Sequence, residues 1–307
     1  MSIKAISYFM WMIEILNSCV SEELLGEIKA IEENRNQYFE NLNYASTLEA
    51  YCRGFASSTG GLEFFERMQF PQPMKILDIG FGKGETSLLL ASRRHTVHAI
   101  EPSPLNCEIL QAAMKKYRLE NKIKIYQCAA EDIGQLEEKG FDLCLFNSSL
   151  HHCDNPLKAL ENCKHKLNEN GKVMAINEPI LKFYRNKKWF FKTLKENPIS
   201  LGHYGGNEHI YFFNEYIEMF KNSGFTVKTH FHVHHKAPRE IIKDNIISEV
   251  KGQLVYSDLK LVIKHNILFL IKILISNTIT KKIAIYFGKK LSLFAFSFEG
   301  SNTISEK

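Results

Sequence analysis

From Met74 onward, short apolar β-branched runs alternate with longer amphipathic ones, the pattern of strands covered by helices on both faces. It predicts strands near 75–80, 96–100, 123–128, 142–146 and 172–177, separated by helices near 84–93, 104–118 and 155–167. A helix at Asn214 to Asn222 then leads through the turn Ser223-Gly224 into a sixth strand, Phe225 to Val233. Strictly alternating elements imply a parallel sheet wound on both faces, with its ligand at the C-terminal ends of the strands. Upstream, Ala5, Tyr8, Phe9, Met12, Ile13, Leu16, Cys19 and Val20 recur at helical spacing. Residues 1–70 are therefore expected to form a mostly helical cover with a break at Ser58-Thr59-Gly60-Gly61. Met1 to Cys19 also has a faint likeness to a lipoprotein export signal, but Glu14 interrupts its apolar stretch.

The first strand runs into the densest local signal, Lys75-Ile-Leu-Asp-Ile-Gly-Phe-Gly-Lys-Gly-Glu-Thr86. Gly80, Gly82 and Gly84 let the backbone turn tightly and approach a ligand without intervening Cβ atoms. A dinucleotide turn reads Gly-x-Gly-x-x-Gly, whereas here the third glycine comes one residue early. Asp78, two residues before the first glycine, would repel a pyrophosphate but suits a ligand with a cationic amino group. Glu101 ends the second strand, where a carboxylate accepts hydrogen bonds from both hydroxyls of an unphosphorylated ribose. The two acids bracket a nucleoside with an amino-acid tail and disfavour an NAD-dependent oxidoreductase.

Five motifs in this order resemble class I S-adenosylmethionine-dependent methyltransferases, and most of all the small-molecule enzymes called type 11 or 12. They are Asp78-x-Gly-x-Gly-x-Gly84, Glu101-Pro102-Ser103, Ala130-Glu131-Asp132, Phe141-Asp142 through Leu150-His151-His152, and Leu167 to Pro179. The resemblance covers roughly residues 73–233 and implies an α/β, Rossmann-like fold with a seven-stranded, mostly parallel sheet whose last strand is antiparallel. Leu291 to Phe298 is the late segment that suits that strand, which makes 236–290 an insertion, expected to be helical. The domain plan is then a cap at 1–70, a cofactor-binding domain of 71–235 with 291–307, and the insertion between them. The resemblance implies S-adenosyl-L-methionine as cofactor, held by Asp78, Gly80, Gly82, Gly84, Glu101, Pro102, Ala130, Glu131 and Asn147. In one departure, Ala129 stands where the family often has an acid or amide for the adenine, so recognition leans on the Ala130 backbone and Glu131. It further implies methyl transfer to a small-molecule acceptor, such as a sugar or glycan precursor or a lipid-linked compound. A cofactor-binding module without turnover would carry the same motifs.

Transfer from a sulfonium is an in-line displacement that depends on alignment in a dry pocket, and a base is needed for a hydroxyl or acidic carbon acceptor alone. The candidate catalytic residues are His151, His152 and His209, joined at the same rim by Glu178 and the polar run His203 to Tyr211. The histidine pair also reads as lining or structural hydrogen bonding, and the residues around His209 as a helix cap. From the cover, Tyr38, Tyr44 or Arg53 could reach the cofactor. No metal site is expected. His230, His232 and His234 share one face of the sixth strand without an acid nearby in sequence, and Cys153, Cys163 and His165 lack ligand spacing.

Composition changes the picture at one place. The 307 residues are 45% hydrophobic with net charge +5, yet residues 236–290 alone hold eleven Lys and Arg against four Asp and Glu, a surplus of seven. Leu259 to Ile275 is apolar on most sides, but Lys264 and Lys272 interrupt it before the ~20 residues a bilayer span requires. A surface-lying membrane contact through 259–290, a lid over the acceptor, and a homodimer contact all fit. Nucleic acid is not expected as a partner, because the basic charge lies among aliphatics and Asn147-Ser148-Ser149-Leu150 is not a base-holding motif. Seven cysteines without a Cys-x-x-Cys pair suit a reducing cytoplasm, with the insertion at the inner face of the membrane if it binds lipid.

Overall fold

The computed structural model describes residues 21–54, 73–181, 186–196, 207–232 and 295–302. The helix read at 5–20, the break at 58–61, residues 203–206 and the insertion lie outside these. Seven strands form one sheet: β1 (Lys75–Ile79), β2 (Thr96–Ile100), β3 (Ile123–Tyr126), β4 (Phe141–Asn147), β5 (Leu167–Ile176), β6 (Phe225–His232) and β7 (Ala295–Asn302). Their order is β3-β2-β1-β4-β5-β7-β6, with β1 to β5 joined in parallel and β7 antiparallel to both β5 and β6. Strand order reverses between β1 and β4, so the crevice beyond their C-terminal ends is where such a sheet takes a ligand.

Period-two alternation sorts the side chains into two layers. Ile76, Leu143, Leu145, Met174 and Ile176 face one core, and Leu77, Ile79, Cys144, Phe146, Val173 and Ala175 the other. The first layer is covered by α3 (Leu48–Gly54), α4 (Glu85–Ser92) and α5 (Pro104–Tyr117), which contribute Tyr51, Leu88, Leu90, Leu110 and Ala113. The second is covered by α6 (Pro156–Lys166) and α8 (Phe213–Asn222) through Ala159, Leu160, Tyr216 and Phe220. Upstream, α1 (Glu22–Glu33) and α2 (Arg35–Tyr44) pack Ile31 and Tyr38 on Leu105 and Ile109 of α5. A further helix, α7 (Lys187–Glu196), leaves Trp189 and Phe191 exposed. The helices start where the chain supplies caps. Ser103 accepts from Asn106 N at 3.3 Å before Pro104, and Asn155 accepts from Lys158 N at 3.0 Å before Pro156.

The seventh strand differs from its sequence-based placement at 291–298 by running from Ala295 to Asn302. Hydropathy stops at Phe298 because Glu299-Gly300-Ser301 reads as a polar break, but packing overrides that signal. A Cβ at Gly300 would lie 2.8 Å from both Phe220 and Val173, so the strand passes there as a glycine. Glu299 is buried yet accepts from Lys172 Nζ at 2.9 Å and His230 Nε2 at 2.7 Å. The His230 bond, aided by Lys172, outweighs burial and holds the carboxyl down at about 2. The acid that β6 lacks in its own sequence neighbourhood therefore reaches His230 from β7.

Phe298 joins the edge of the sheet to its helices, stacking on Tyr216 at 5.0 Å and meeting Phe213 at 5.5 Å and Phe220 at 6.2 Å. Its replacement by alanine should cost about 3–5 kcal/mol in guanidinium unfolding. An equal loss for the exposed Trp189→Ala would mean that β7 is not the keystone of this edge.

Candidate functional site

The loop after β1 and the loops after β2, β3 and β4 enclose a cavity of about 240 Å³ at the strand-order reversal. Asp78, Gly80, Phe81 and Gly82 form its floor, Glu101, Pro102 and Asn106 one wall, Ala129 to Glu131 another, and Asn147 to Ser149 a third. The three glycines are all left-handed, at φ +68, +57 and +86°, but each is needed for its own reason. At Gly80 a Cβ would meet Ser149 Cβ at 2.6 Å, and at Gly84 it would meet Leu110 Cδ1 at 2.5 Å. At Gly82 it would meet nothing within 4 Å, because that position looks into the cavity.

Two acids are buried beneath the cavity. Asp78 accepts from Ser87 Oγ at 2.5 Å, and Glu101 from the backbone N–H groups of Gly82 at 3.0 Å and Ser103 at 3.1 Å. Burial drives both carboxyls up to about 7; their hydrogen bonds oppose the shift, while Glu85 adds to it at Asp78 and Asp78 adds to it at Glu101. Such acids gain from a ligand that brings a positive charge and hydroxyl donors. Asn106 Oδ1, buried in the same wall, has no hydrogen-bond partner among the described residues.

The remaining residues singled out for the cofactor brace the walls as well as line them. Asn147 donates to Thr86 Oγ1 at 2.8 Å and accepts from Asn177 Nδ2 at 2.8 Å, tying the end of β4 to α4 and to the end of β5. Glu131 accepts from Asn155 N at 2.8 Å, which links the third loop to the start of α6. Gly84 and the histidine His151 do not line the cavity, whereas His152 does.

Opposite the glycine turn lies a polar cluster. Glu178, just past β5, is buried and accepts at 3.1 Å from the backbone N–H groups of Ser149, Leu150 and His151, and at 2.7 Å from His151 Nδ1. His151 Nε2 lies 3.6 Å from Glu208 Oε2. Burial pushes His151 down, but Glu178 and Glu208 outweigh it and raise the imidazole to about 9. His152 goes the other way: burial and the neighbouring His151 lower it well below its ordinary value, and its Nδ1 donates to the Asn207 carbonyl at 2.6 Å. The two rings stand 4.1 Å apart. His209 lies on the same side, half-buried and lowered by burial, with Asp154 opposing that shift.

The cover contributes residues that local sequence does not flag. Leu24, Glu27 and Cys52 line the cavity. Ser21 caps α1 by accepting from Leu24 N at 3.1 Å while its own Oγ donates to Asp154 at 2.6 Å. Asn207 Nδ2 donates to Glu27 Oε2 at 2.7 Å, so α1 is held to the rim at its N-cap and again at mid-helix. Burial raises Glu27 to about 8. Of the cover residues expected near the ligand, Tyr38 is buried under the Lys83 ammonium at 4.2 Å and Tyr44 is 86% exposed; neither lines the cavity. The Arg53 side chain lies outside the described residues. The helical periodicity of α1 places Leu24 and Glu27 one turn apart on one face, but an acid facing a cavity reads like any solvated glutamate.

Residues 77–175 match the family described as a methyltransferase domain. Among curated proteins, the tRNA 5-carboxymethoxyuridine methyltransferase of Escherichia coli (strain K12) is 28% identical over 101 residues, 33% of this chain and 39% of that protein. The chain thus aligns with about two fifths of that relative's length. Among solved structures, the geranyl diphosphate C-methyltransferase of Streptomyces coelicolor A3(2), in complex with S-adenosyl-L-homocysteine, superposes with TM-score 0.52 at 12% identity, covering 80% of this chain and 76% of that one. The Haemonchus contortus phosphoethanolamine N-methyltransferase 2 with S-adenosyl-L-methionine gives 0.50 at 14% identity, covering 79% and 51%. At these identities the structures share the fold.

The glycine geometry sets an order of stabilities for single alanine substitutions. Gly82→Ala should lose about 1–2 kcal/mol for its left-handed backbone alone. Gly80→Ala, which also drives Ser149 aside, should lose more, and thermal melts that reverse this order would displace the turn from its assigned packing.

Proposed function

We propose that the chain carries a class I S-adenosylmethionine-dependent methyltransferase domain and that with it the protein transfers a methyl group to a small polar acceptor. The observation that carries this reading is the pair of buried acids, Asp78 and Glu101, beneath a glycine turn whose Gly82 opens into the cavity. Bound S-adenosylmethionine supplies a methyl group on a sulfonium, already activated for displacement. In this reading Asp78 and the Gly80–Gly84 turn take the amino-acid end, and Glu101 takes the ribose hydroxyls. Pro102, Ala130 and Glu131 flank the base, and Asn147 fixes the wall between them. The unpartnered Asn106 Oδ1 suits a ligand rich in N–H and O–H donors.

The acceptor comes in from the side of α1 and the histidines. Of His151, His152 and His209, it is His152 that lines the cavity. Its neighbour, paired with Glu178, holds that loop in place. The acceptor is read as a sugar or glycan precursor, free or lipid-linked; the Asn207-Glu208-His209 run and the basic, apolar stretch 259–290 support this. The match to the tRNA enzyme covers 101 residues, 33% of this chain and 39% of that protein, too little to carry its RNA substrate over to this chain.

Titration calorimetry of the full chain with S-adenosylhomocysteine and, separately, NAD⁺ is expected to give binding of the first alone. Asp78→Ala and Glu101→Ala should each weaken it at least tenfold while the melting transition survives; undiminished affinity in both would overturn the assignment. The same acids set a pH dependence. A cationic amino group and donating hydroxyls favour the ionised carboxyls, so binding releases protons and tightens as pH rises. With both groups near 7 in the free protein, affinity should rise about tenfold per acid between pH 6 and 8 and then level off.

A further inference from the structure

We propose that His151, His152 and Glu208 form a binding site for a divalent transition-metal ion on the acceptor side of the cavity. His151 Nε2 lies 3.6 Å from Glu208 Oε2, His152 Nε2 lies 4.0 Å from Glu208 Oε1, and the three ligand atoms all fall within 4.8 Å of one another. Ligands about 2.1 Å from a tetrahedral zinc ion stand about 3.4 Å apart, so with one atom from each residue and every edge of the triangle within 4.8 Å, no edge needs to contract by more than about 1.4 Å. Both imidazoles are already oriented for it. The Nδ1 of His151 donates to Glu178, and that of His152 to the Asn207 carbonyl, which turns each Nε2 toward the same carboxylate. A carboxylate or carbonyl behind the ring is the usual support of a metal-binding histidine.

That support is rigid on one side and adjustable on the other. Glu178 is fixed by three backbone N–H groups, and its own carboxylate is fully buried. Glu208, with a side chain 17% exposed, is the ligand that can move to close on an ion. Two imidazoles and one carboxylate favour zinc, cobalt or iron over magnesium or calcium, which prefer all-oxygen shells. Three protein ligands leave a further position, and because His152 lines the cavity that position faces the acceptor. An oxygen-bearing acceptor, a hydroxyl or a carboxylate, is the chemical class such a position would take. None of these three side chains is among the residues assigned above to the methyl donor, so metal binding and donor binding are tested separately.

The test is cobalt substitution of the untagged, chelator-treated full chain. One equivalent of Co²⁺ should produce the visible d–d absorption of a low-coordinate site without a thiolate charge-transfer band, and one equivalent of Zn²⁺ should abolish it. Glu208→Gln and His152→Gln should each weaken Zn²⁺ binding by calorimetry at least tenfold, and Glu178→Gln about 10–100-fold through loss of ring orientation. Circular dichroism melts establish that each variant is folded. Absence of stoichiometric cobalt uptake by the wild-type chain, a thiolate band, or Zn²⁺ affinity unchanged in folded Glu208→Gln would overturn the proposal.

Discussion

Glu178 is the group on which the acceptor side of the cavity depends. A carboxylate without solvent is tolerated where hydrogen bonds replace its hydration, and here three consecutive backbone N–H groups and one imidazole do so. To present those donors the chain must fold back just after β4, and Ser148 takes up a left-handed conformation at φ +56° to make the turn. Asn177 does the same at φ +58° just past β5, so two non-glycine residues are strained next to the buried carboxyl. The turn in turn places Ser149, whose Oγ donates to the Ile79 carbonyl at 2.6 Å and whose Cβ excludes a side chain at Gly80. One anion thereby sets the shape of both the histidine loop and the glycine turn.

The two sides of the cavity hold charge differently. Beneath the glycines, Asp78 and Glu101 lie so deep that burial outweighs the hydrogen bonds they accept, and their affinity for protons rises. Across from them, Glu178 is saturated by donors of its own chain. A cavity with hungry acids on one wall and a satisfied acid behind the other is polarised before any ligand enters. The α1 helix closes it by inserting Glu27, raised by burial, between the two.

Much of this was legible in the sequence wherever the signal is local. β1, β2, β4 and the helices after them follow from runs of apolar residues and from caps such as Ser103-Pro104, and the glycine turn with its two acids follows from spacing alone. What escaped depends on pairs distant in the chain. Glu299 looks like the end of a strand until Lys172 and His230 are placed beside it, and Gly300 looks like a breaker until Phe220 occupies the space a side chain would need. Glu27 reaches the cavity because Ser21 and Asn207 hold α1 there, and the contacts joining them span more than a hundred residues. The histidines were visible as residues, but their opposite protonation preferences come from Glu178, Glu208 and burial.

The place of β7 between β5 and β6 bears on how the chain is made. Among the described residues β6 has β7 as its sheet neighbour, and β7 follows it by more than sixty positions. A nascent chain that has just released β6 from the ribosome holds a strand with an open edge, while β1 to β5, with the glycine turn, the buried acids and Glu178, already have their sheet partners. Closing long loops is slow relative to local pairing. The donor half of the cavity can therefore assemble during synthesis, whereas the outer edge waits for the last strand and stays exposed to pairing with other chains until it arrives.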